Sequence, residues 1–277
     1  MTVLSGKKIL LGVTAGIAAY KAAFLVRLLV KEGADVKVVM TPKAKEFVTP
    51  LTLSTLSKNE VFSSFTNEDN DNAQWNNHVA LALWADLFIV APATANTLSK
   101  MAHGTSDNLL LATYLSAKCP VYVAPAMDLD MYKHQSTQET FVALERFGTI
   151  IIPSETGALA SGLIGQGRMA EPETIVAFIS SEISKTLPLR GKKILITAGP
   201  THEVIDPVRF IGNHSSGKMG IAIAETASLL GANVVLVLGP SSIPVSEKNI
   251  HIVRVTTAQE MYDAVHQYYD ATHIAIC

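Results

Sequence analysis

Two strand-like runs, each introduced by paired lysines and each broken by small residues, constrain this chain more than anything else in it. Residues 7–20 read KKILLGVTAGIAAY and residues 192–199 read KKILITAG. A β-branched or leucine-rich run without polar alternation suits a parallel strand buried on both faces, and the small residues after it suit a tight turn. Further apolar runs follow each opening: VKVVM (36–40), DLFIVA (86–91), PVYVA (120–124) and TIIIP (149–153), then NVVLVLG (233–239), HIVRV (251–255) and HIAIC (273–277). Helical patterns separate them, which predicts parallel sheets covered on both faces. The expected fold is α/β in two domains, 1–188 and 189–277, divided where Pro188 and Gly191 interrupt the pattern. A length of 277 residues agrees with two domains. Two generic α/β units built to one plan would show the same matched openings, so no internal repeat is implied.

Composition removes several classes of function. Hydrophobic residues make up 48% of the chain and charged residues 17%, which excludes disorder of the whole. Lysine and arginine number 22 against 24 acidic residues, a net charge of −2, so the basic footprint of a non-specific nucleic-acid binder is missing. Cys119 and Cys277 are the only cysteines and lie far apart, which leaves neither a disulfide framework nor a cysteine metal cluster. No run of about 18 uninterrupted apolar residues predicts a membrane span. The apolar start stops at Gly12 without a signal-cleavage pattern, so a cytoplasmic protein is expected. Cys277 ends an apolar run with no helix after it, and the second domain therefore reads as a piece of a longer protein.

Candidate site residues cluster after the predicted strands, where open α/β sheets bind ligands. Gly12, Thr14 and Gly16 lie in a strand-to-helix turn whose small residues would let backbone N–H groups approach a phosphate, although a plain tight turn reads equally well. The segment APATANTLSK places Thr94 and Asn96 after a strand, as crevice residues or as helix caps. His78 stands at a helix start, a position that favours the neutral, base-competent imidazole. PAMDLDMY puts Asp128, Asp130 and Met131 after another strand, where a carboxylate can bind a cation, move a proton or cap a helix. A polar stretch, 66–77, reads as an exposed loop, and Gly157, Gly162, Gly165 and Gly167 read as a mobile lid or an ordinary loop. In the second half, GNHSSGKM (212–219) nearly spells a P-loop but ends in Met219, so the hydroxyl that would hold Mg²⁺ is absent. Ser215, Ser216, Gly217 and Lys218 still open a helix at its positive end, which favours a phosphate; helix capping by Ser215 is the plainer alternative.

The segments GVTAGIAAYK, NHVALALWAD, APATANTLSK, GTSDNLL, PAMDLDMY and SGLIGQGRMAEP, in this order, resemble the flavin-dependent cysteine decarboxylases. The segment ITAGPTHEVIDPVRFIGNHSSGKMGIAIA resembles phosphopantothenate–cysteine ligases. Joined in one chain, they resemble the bacterial bifunctional proteins of coenzyme A biosynthesis. The resemblance implies a Rossmann-like or flavodoxin-like flavoprotein domain followed by an incomplete second Rossmann-like domain. It implies FMN held by Gly12, Thr14, Gly16, Thr41, Thr94 and Asn96, with His78 as the base that releases CO₂ from 4′-phosphopantothenoylcysteine. The product would be 4′-phosphopantetheine, and Met131 would line the substrate site. For the ligase half it implies CTP with Mg²⁺, the co-substrates 4′-phosphopantothenate and cysteine, and Asn213 assisting conversion of an acyl-cytidylate. Gly199, Pro200 and Thr201 would form the first strand-to-helix turn, Ser215–Lys218 would hold the nucleotide, and Asp206, Pro207 and Arg209 would shape a substrate loop. No metal-ligating residue is assigned. A homo-oligomer, a trimer or a dodecamer built from trimers, is implied as well, with flavin at subunit interfaces.

Two residues depart from the family pattern. Where Asn is usual in P-A-M-N the chain has Asp128, whose negative charge would repel a substrate carboxylate unless it were protonated, turned away or joined by a cation. Where a flap cysteine is usual the chain has Ser161, a far weaker acid than a thiol of pKa about 8.5. Asp128 itself is the expected replacement proton donor. A peptidyl-cysteine decarboxylase releasing an enethiol, or an FMN-binding regulatory subunit, are the competing readings.

Overall fold

The computed structural model describes residues 2–66, 75–246 and 249–277. Most of the polar stretch 66–77 therefore lies outside the described residues. The chain divides into two compact units, one formed by Leu4–Ser180 and the other by Ser181–Cys277 with the first residues of the chain.

The first unit alternates strand and helix: β1 (Lys8–Val13), α1 (Lys21–Lys31), β2 (Asp35–Met40), α2 (Pro50–Ser57), β3 (Val61–Phe62), α3 (His78–Trp84) and β4 (Leu87–Ala93). It continues with α4 (Ala95–Ala102), α5 (Leu109–Ser116), β5 (Val121–Pro125), α6 (Leu129–Lys133), α7 (Gln135–Arg146) and β6 (Ile150–Ile151). The six strands pair in parallel in the order β3-β2-β1-β4-β5-β6, the doubly wound arrangement. Every residue of β4 and β5 is buried, which is why those runs carry no polar alternation. Helix α1 buries Ala22, Leu25, Val26 and Leu29, the i, i+3, i+4, i+7 stripe that a helix needs to cover a sheet. Phe88, fully buried on β4, anchors the core between the sheet and α4, α5 and α7 with Leu98, Leu110 and Leu144.

The predicted lid is an antiparallel hairpin, β7 (Glu155–Ala158) and β8 (Ile164–Arg168), and α8 (Pro172–Lys185) follows it. In the second unit β9 (Lys193–Ala198) leads into a second hairpin, β10 (His202–Val204) and β11 (Phe210–Gly212). Then come α9 (Lys218–Leu229), β12 (Asn233–Leu238), β13 (Ile250–Arg254), α10 (Ala258–Tyr269) and β14 (Ile274–Ile276). Strands β13-β12-β9-β14 pair in parallel in that order, the first four positions of the same winding scheme. A capping box of Thr257 and Glu260 starts α10. Gly199-Pro200-Thr201 does not form a strand-to-helix turn, as expected from sequence, but a strand-to-hairpin turn. The helix starts only at Lys218.

Candidate active site

At the switch point between β1 and β4, where the winding reverses, the first unit opens into a cleft of about 1100 Å³. Loops at the carboxyl ends of β1, β2, β4 and β5 supply Gly16, Thr41, Lys43, Thr94, Asn96 and Asp128 to its walls. The hairpin β7–β8 closes one side with Ala158–Ala160 and Gly167–Met169.

The residues expected to meet a phosphate divide into those that touch the cleft and those that build it. Gly12 belongs to the second kind, because β1 runs on through Val13 and carries Gly12 inside the sheet. A Cβ at Gly12 would lie 3.1 Å from both Leu110 and Phe88, so its smallness serves core packing and not ligand approach. Thr14 is also withdrawn from the cleft. Fully buried, it donates from Oγ1 to the Pro92 carbonyl at 2.7 Å and accepts from the Thr94 backbone N–H at 3.2 Å. It thereby ties the β1 loop to the β4 loop. Gly16 does line the cleft and opens a 3-10 turn, Ile17–Tyr20, with 3.3 Å between its would-be Cβ and Thr94 Cγ2. Thr94 precedes α4 but makes no capping bond; its hydroxyl donates to Thr97 Oγ1 at 3.3 Å. Thr41 Oγ1 is buried on the cleft wall without a hydrogen-bond partner. A buried hydroxyl in that state costs free energy until a ligand oxygen or nitrogen meets it.

Four cationic residues line the cleft, and sequence reasoning singled out none of them. Lys21 is buried on the first turn of α1 and donates from Nζ to the Met169 carbonyl and to Glu171, both at 2.9 Å. Arg168 pairs with the same carboxylate. Lys21 and Arg168 together hold the Glu171 carboxyl below its ordinary range, the Lys21 hydrogen bond being the larger cause. Lys100 pairs with Asp107 and lowers that carboxyl too, again chiefly by its hydrogen bond. Lys43 has no acidic partner among the described residues.

Asp128 lines the cleft as the N-cap of α6, and its Oδ1 accepts from the Leu129 backbone N–H at 2.6 Å. Accepting a backbone N–H at a helix start is the common capping role of Asp. Met131 lines the cleft as expected. Ser161 does not; it is exposed at the hairpin tip, where its Oγ accepts from the Leu163 N–H at 3.4 Å. The glycines of the hairpin have a packing reason: a Cβ at Gly167 would come within 2.5 Å of the Met127 carbonyl and one at Gly165 within 2.5 Å of Leu129. Met127 N–H also donates to the Gly167 carbonyl at 3.0 Å, which fastens the hairpin to the Asp128 turn.

His78 starts α3 as expected, behind an Asn77 cap that accepts from Val79 and Ala80. Its ring meets Phe65 edge-on, and Nδ1 is buried without a partner. It does not line the cleft of its own chain.

The second unit gathers glycines in place of side chains. Gly199 and Gly217 both have positive φ, +84° and +79°, and a Cβ on Gly217 would press within 3.2 Å of Gly199 N. Gly239 approaches the Pro200 carbonyl too closely for any side chain. Gly217, not Ser215, is the N-cap residue of α9, and no side chain caps it; the Ser215 N–H donates to Asn213 Oδ1 at 2.9 Å. Ser241 Oγ donates to the Ser216 carbonyl at 2.7 Å, which ties the loop before α9 to the segment after β12. Lys218 opens the helix beside it, and Thr201 and Pro200 flank the turn. Among the described residues no group of three or more His, Cys, Asp or Glu is placed to hold a metal.

The flavoprotein family model matches residues 2–184, most of the chain and all of the cleft. The chain belongs to the flavoprotein family. A second model, the C-terminal domain of DNA/pantothenate metabolism flavoproteins, matches residues 189–277. The coenzyme A biosynthesis bifunctional protein of Bacillus subtilis is 45% identical over 99% of this flavoprotein and 67% of its own length. That of Vibrio vulnificus is 49% identical over 96% and 65%. A cysteine/cysteine sulfinic acid decarboxylase from an unknown prokaryotic organism is 52% identical over 83% of this chain and 64% of its own. The chain thus spans about two thirds of the length of these relatives. Among solved structures, a cysteine-to-serine mutant of PPC decarboxylase complexed with pantothenoylaminoethenethiol superposes with a TM-score of 0.57 at 32% identity. It covers 64% of this chain and 98% of its own. The FMN binding protein AtHal3 follows at 0.54 and 32%, covering 64% and 96%.

Proposed function

We propose that the first unit binds FMN and decarboxylates the cysteine moiety of 4′-phosphopantothenoylcysteine, giving 4′-phosphopantetheine for coenzyme A synthesis. The observation that carries this is the cleft itself: a ligand-sized crevice at the sheet's switch point, with a buried Thr41 hydroxyl and a Lys43 that have no partner among the described residues on one wall. These residues fit a phosphate-bearing cofactor. Gly16 and the turn after it would take the phosphate, Thr41 and Lys43 would neutralise and hydrogen-bond it, and Thr94 and Asn96 would face the ring system. When bound, FMN supplies the two-electron chemistry that makes loss of CO₂ beside a thiol accessible. The protein's part is to hold the substrate against it, exclude water through the β7–β8 hairpin and take a proton at the His78 imidazole.

Because His78 lies outside the cleft of its own chain, that proton transfer is assigned to a homo-oligomer in which a second copy supplies the imidazole. Ile17, Tyr20 and Phe24 beside the cleft, and Val79 and Leu83 on the His78 helix, are exposed and give such an assembly its apolar surface. A trimer, or a dodecamer of trimers, in the cytoplasm is the arrangement proposed. Residues 1–188 would form the decarboxylase domain, and residues 189–277 the start of a ligase domain. There Gly199–Thr201 and Ser215–Lys218 would cradle CTP with its Mg²⁺, and Asn213 would stand by the reacting carboxyl of 4′-phosphopantothenate. The named relatives support both halves.

The test is His78→Ala in the flavin-loaded protein. Flavin absorbance and oligomer size are expected to persist while CO₂ release from 4′-phosphopantothenoylcysteine falls by about 10²–10⁴-fold, the usual weight of a positioned base. Release that persists would remove His78 from the reaction.

A further inference from the structure

A histidine that moves a proton is ordinarily fixed by a carboxylate or carbonyl on its second nitrogen, which sets both the tautomer and the plane of the ring. His78 has no such group: its Nδ1 is buried with no hydrogen-bond partner among the described residues. An aromatic ring stands beside it instead. Phe65 lies 6.1 Å from the imidazole, centroid to centroid, with the two planes at 85°. A perpendicular pair at that spacing is attractive, because the positive edge of one ring faces the negative face of the other.

Phe65 is itself held firmly. Its ring packs on the first unit's core, and Trp75 stacks on it with centroids 5.4 Å apart and planes 22° from parallel. Its carbonyl accepts from the Asn76 N–H at 2.8 Å, and Asn76 Nδ2 donates to the Ser64 carbonyl at 2.9 Å. Thr66 and Trp75 form an antiparallel bridge. Asn77 follows at once as the cap of α3, whose first residue is His78. Residues 64–66 and the start of α3 are thus fastened together, with the two aromatic rings and the imidazole in one row. Such a wall takes rotational freedom from the imidazole without adding a charge that must be desolvated when the site closes.

We infer that Phe65 is a positioning residue for the His78 base: braced by Trp75, it fixes the plane of the imidazole and leaves Nε2 as the atom that takes the substrate's proton. The inference rests on the decarboxylase reading and names how the base of that reading is held. For Nε2 to accept, the neutral ring carries its own hydrogen on Nδ1, the nitrogen turned inward.

Two measurements on the flavin-loaded protein separate positioning from packing. Diethyl pyrocarbonate acylates accessible neutral imidazole nitrogens, and the mass of the His78 peptide counts the groups added. The parent is expected to take a single carbethoxy group at His78, on Nε2, and Phe65→Leu to take a second because Nδ1 is uncovered. Steady-state CO₂ release from 4′-phosphopantothenoylcysteine is the other measurement. Phe65→Leu should lower kcat about 10²-fold, with KM within about twofold of the parent and flavin absorbance and oligomer size unchanged. Phe65→Tyr keeps the ring and should restore kcat to within about threefold of the parent. Trp75→Leu, at an exposed position where folding is not at stake, should lower kcat about tenfold, since Phe65 then stands without its brace. A second carbethoxy group on the parent's His78, an undiminished kcat in Phe65→Leu, or equal losses in Phe65→Leu and Phe65→Tyr would each overturn the inference. If the carbethoxy counts come out as expected but the parent releases no CO₂, the orientation of His78 by Phe65 stands and the decarboxylase reading falls.

Discussion

The two units begin with nearly the same letters and make opposite use of them. After β1 the chain turns at once into a 3-10 turn and α1, and its small residues admit side chains: Gly12 makes room for Leu110 and Phe88, Gly16 for Thr94. After β9 it detours through the β10–β11 hairpin, and its small residues admit backbone: Gly217 against Gly199, Gly239 against Pro200. A side-chain neighbour can shift by a few tenths of an ångström, whereas a backbone neighbour moves only with the chain on either side of it. A glycine in the second unit should therefore be the harder one to replace. The first unit's cleft carries hydroxyl and charged side chains on its walls, Thr41, Lys43, Thr94 and Asp128 among them, whereas the close approaches of the second unit are between backbones.

Gly239→Ala should have the largest effect. No relaxation of one side chain relieves contact with the Pro200 carbonyl, so a loss of about 3 kcal/mol is expected. It should appear as faster hydrogen exchange in Asn233–Leu238, with the first unit unaltered. Next comes Glu171→Gln, which removes the carboxylate charge opposite the buried Lys21 ammonium and leaves it neutral acceptors only. About 2 kcal/mol is expected by denaturant unfolding, less than for a fully buried pair because Glu171 is partly exposed. The same pair fixes a pH dependence. Glu171 has its carboxyl lowered in the folded state, so its contribution is complete above the ordinary glutamate pKa and is lost as pH falls through the depressed value. Acid titration of stability should show this loss in the parent and not in Glu171→Gln. Gly12→Ala is the mildest, about 1 kcal/mol, since Leu110 and Phe88 can yield. If Gly12→Ala proved costlier than Gly239→Ala, the contrast between side-chain and backbone neighbours would be wrong.

Much of the fold was legible because a parallel strand buried on both faces writes itself as an unbroken apolar run. Residues 36–40, 86–91, 120–124, 233–239 and 251–255 coincide with β2, β4, β5, β12 and β13 to within a few residues. The start of α3 at His78 was legible too, from its place just past the polar stretch; the structure adds the Asn77 cap. The hairpins were not. Glycine in β7–β8 reads as mobility, and only the structure shows that Gly165 and Gly167 are small so that Leu129 and Met127 can approach. The hairpin after β9 was hidden because its short strands leave Val204, Phe210 and Ile211 exposed, with no burial pattern to mark them. Site residues were found by type and placed by analogy, which located Gly16, Thr41, Thr94, Asn96, Asp128 and Met131 on the cleft wall. Thr14 looked like a ligand contact and is a brace between two loops. Lys21 could not have been found from sequence, since its partners lie about 150 residues away.

The most direct test of the account is the mass of the product formed when the flavin-loaded protein meets 4′-phosphopantothenoylcysteine. A saturated thiol, lighter than the substrate by CO₂ alone, is the predicted result. Unchanged substrate, or a product short of a further two hydrogens, would contradict it.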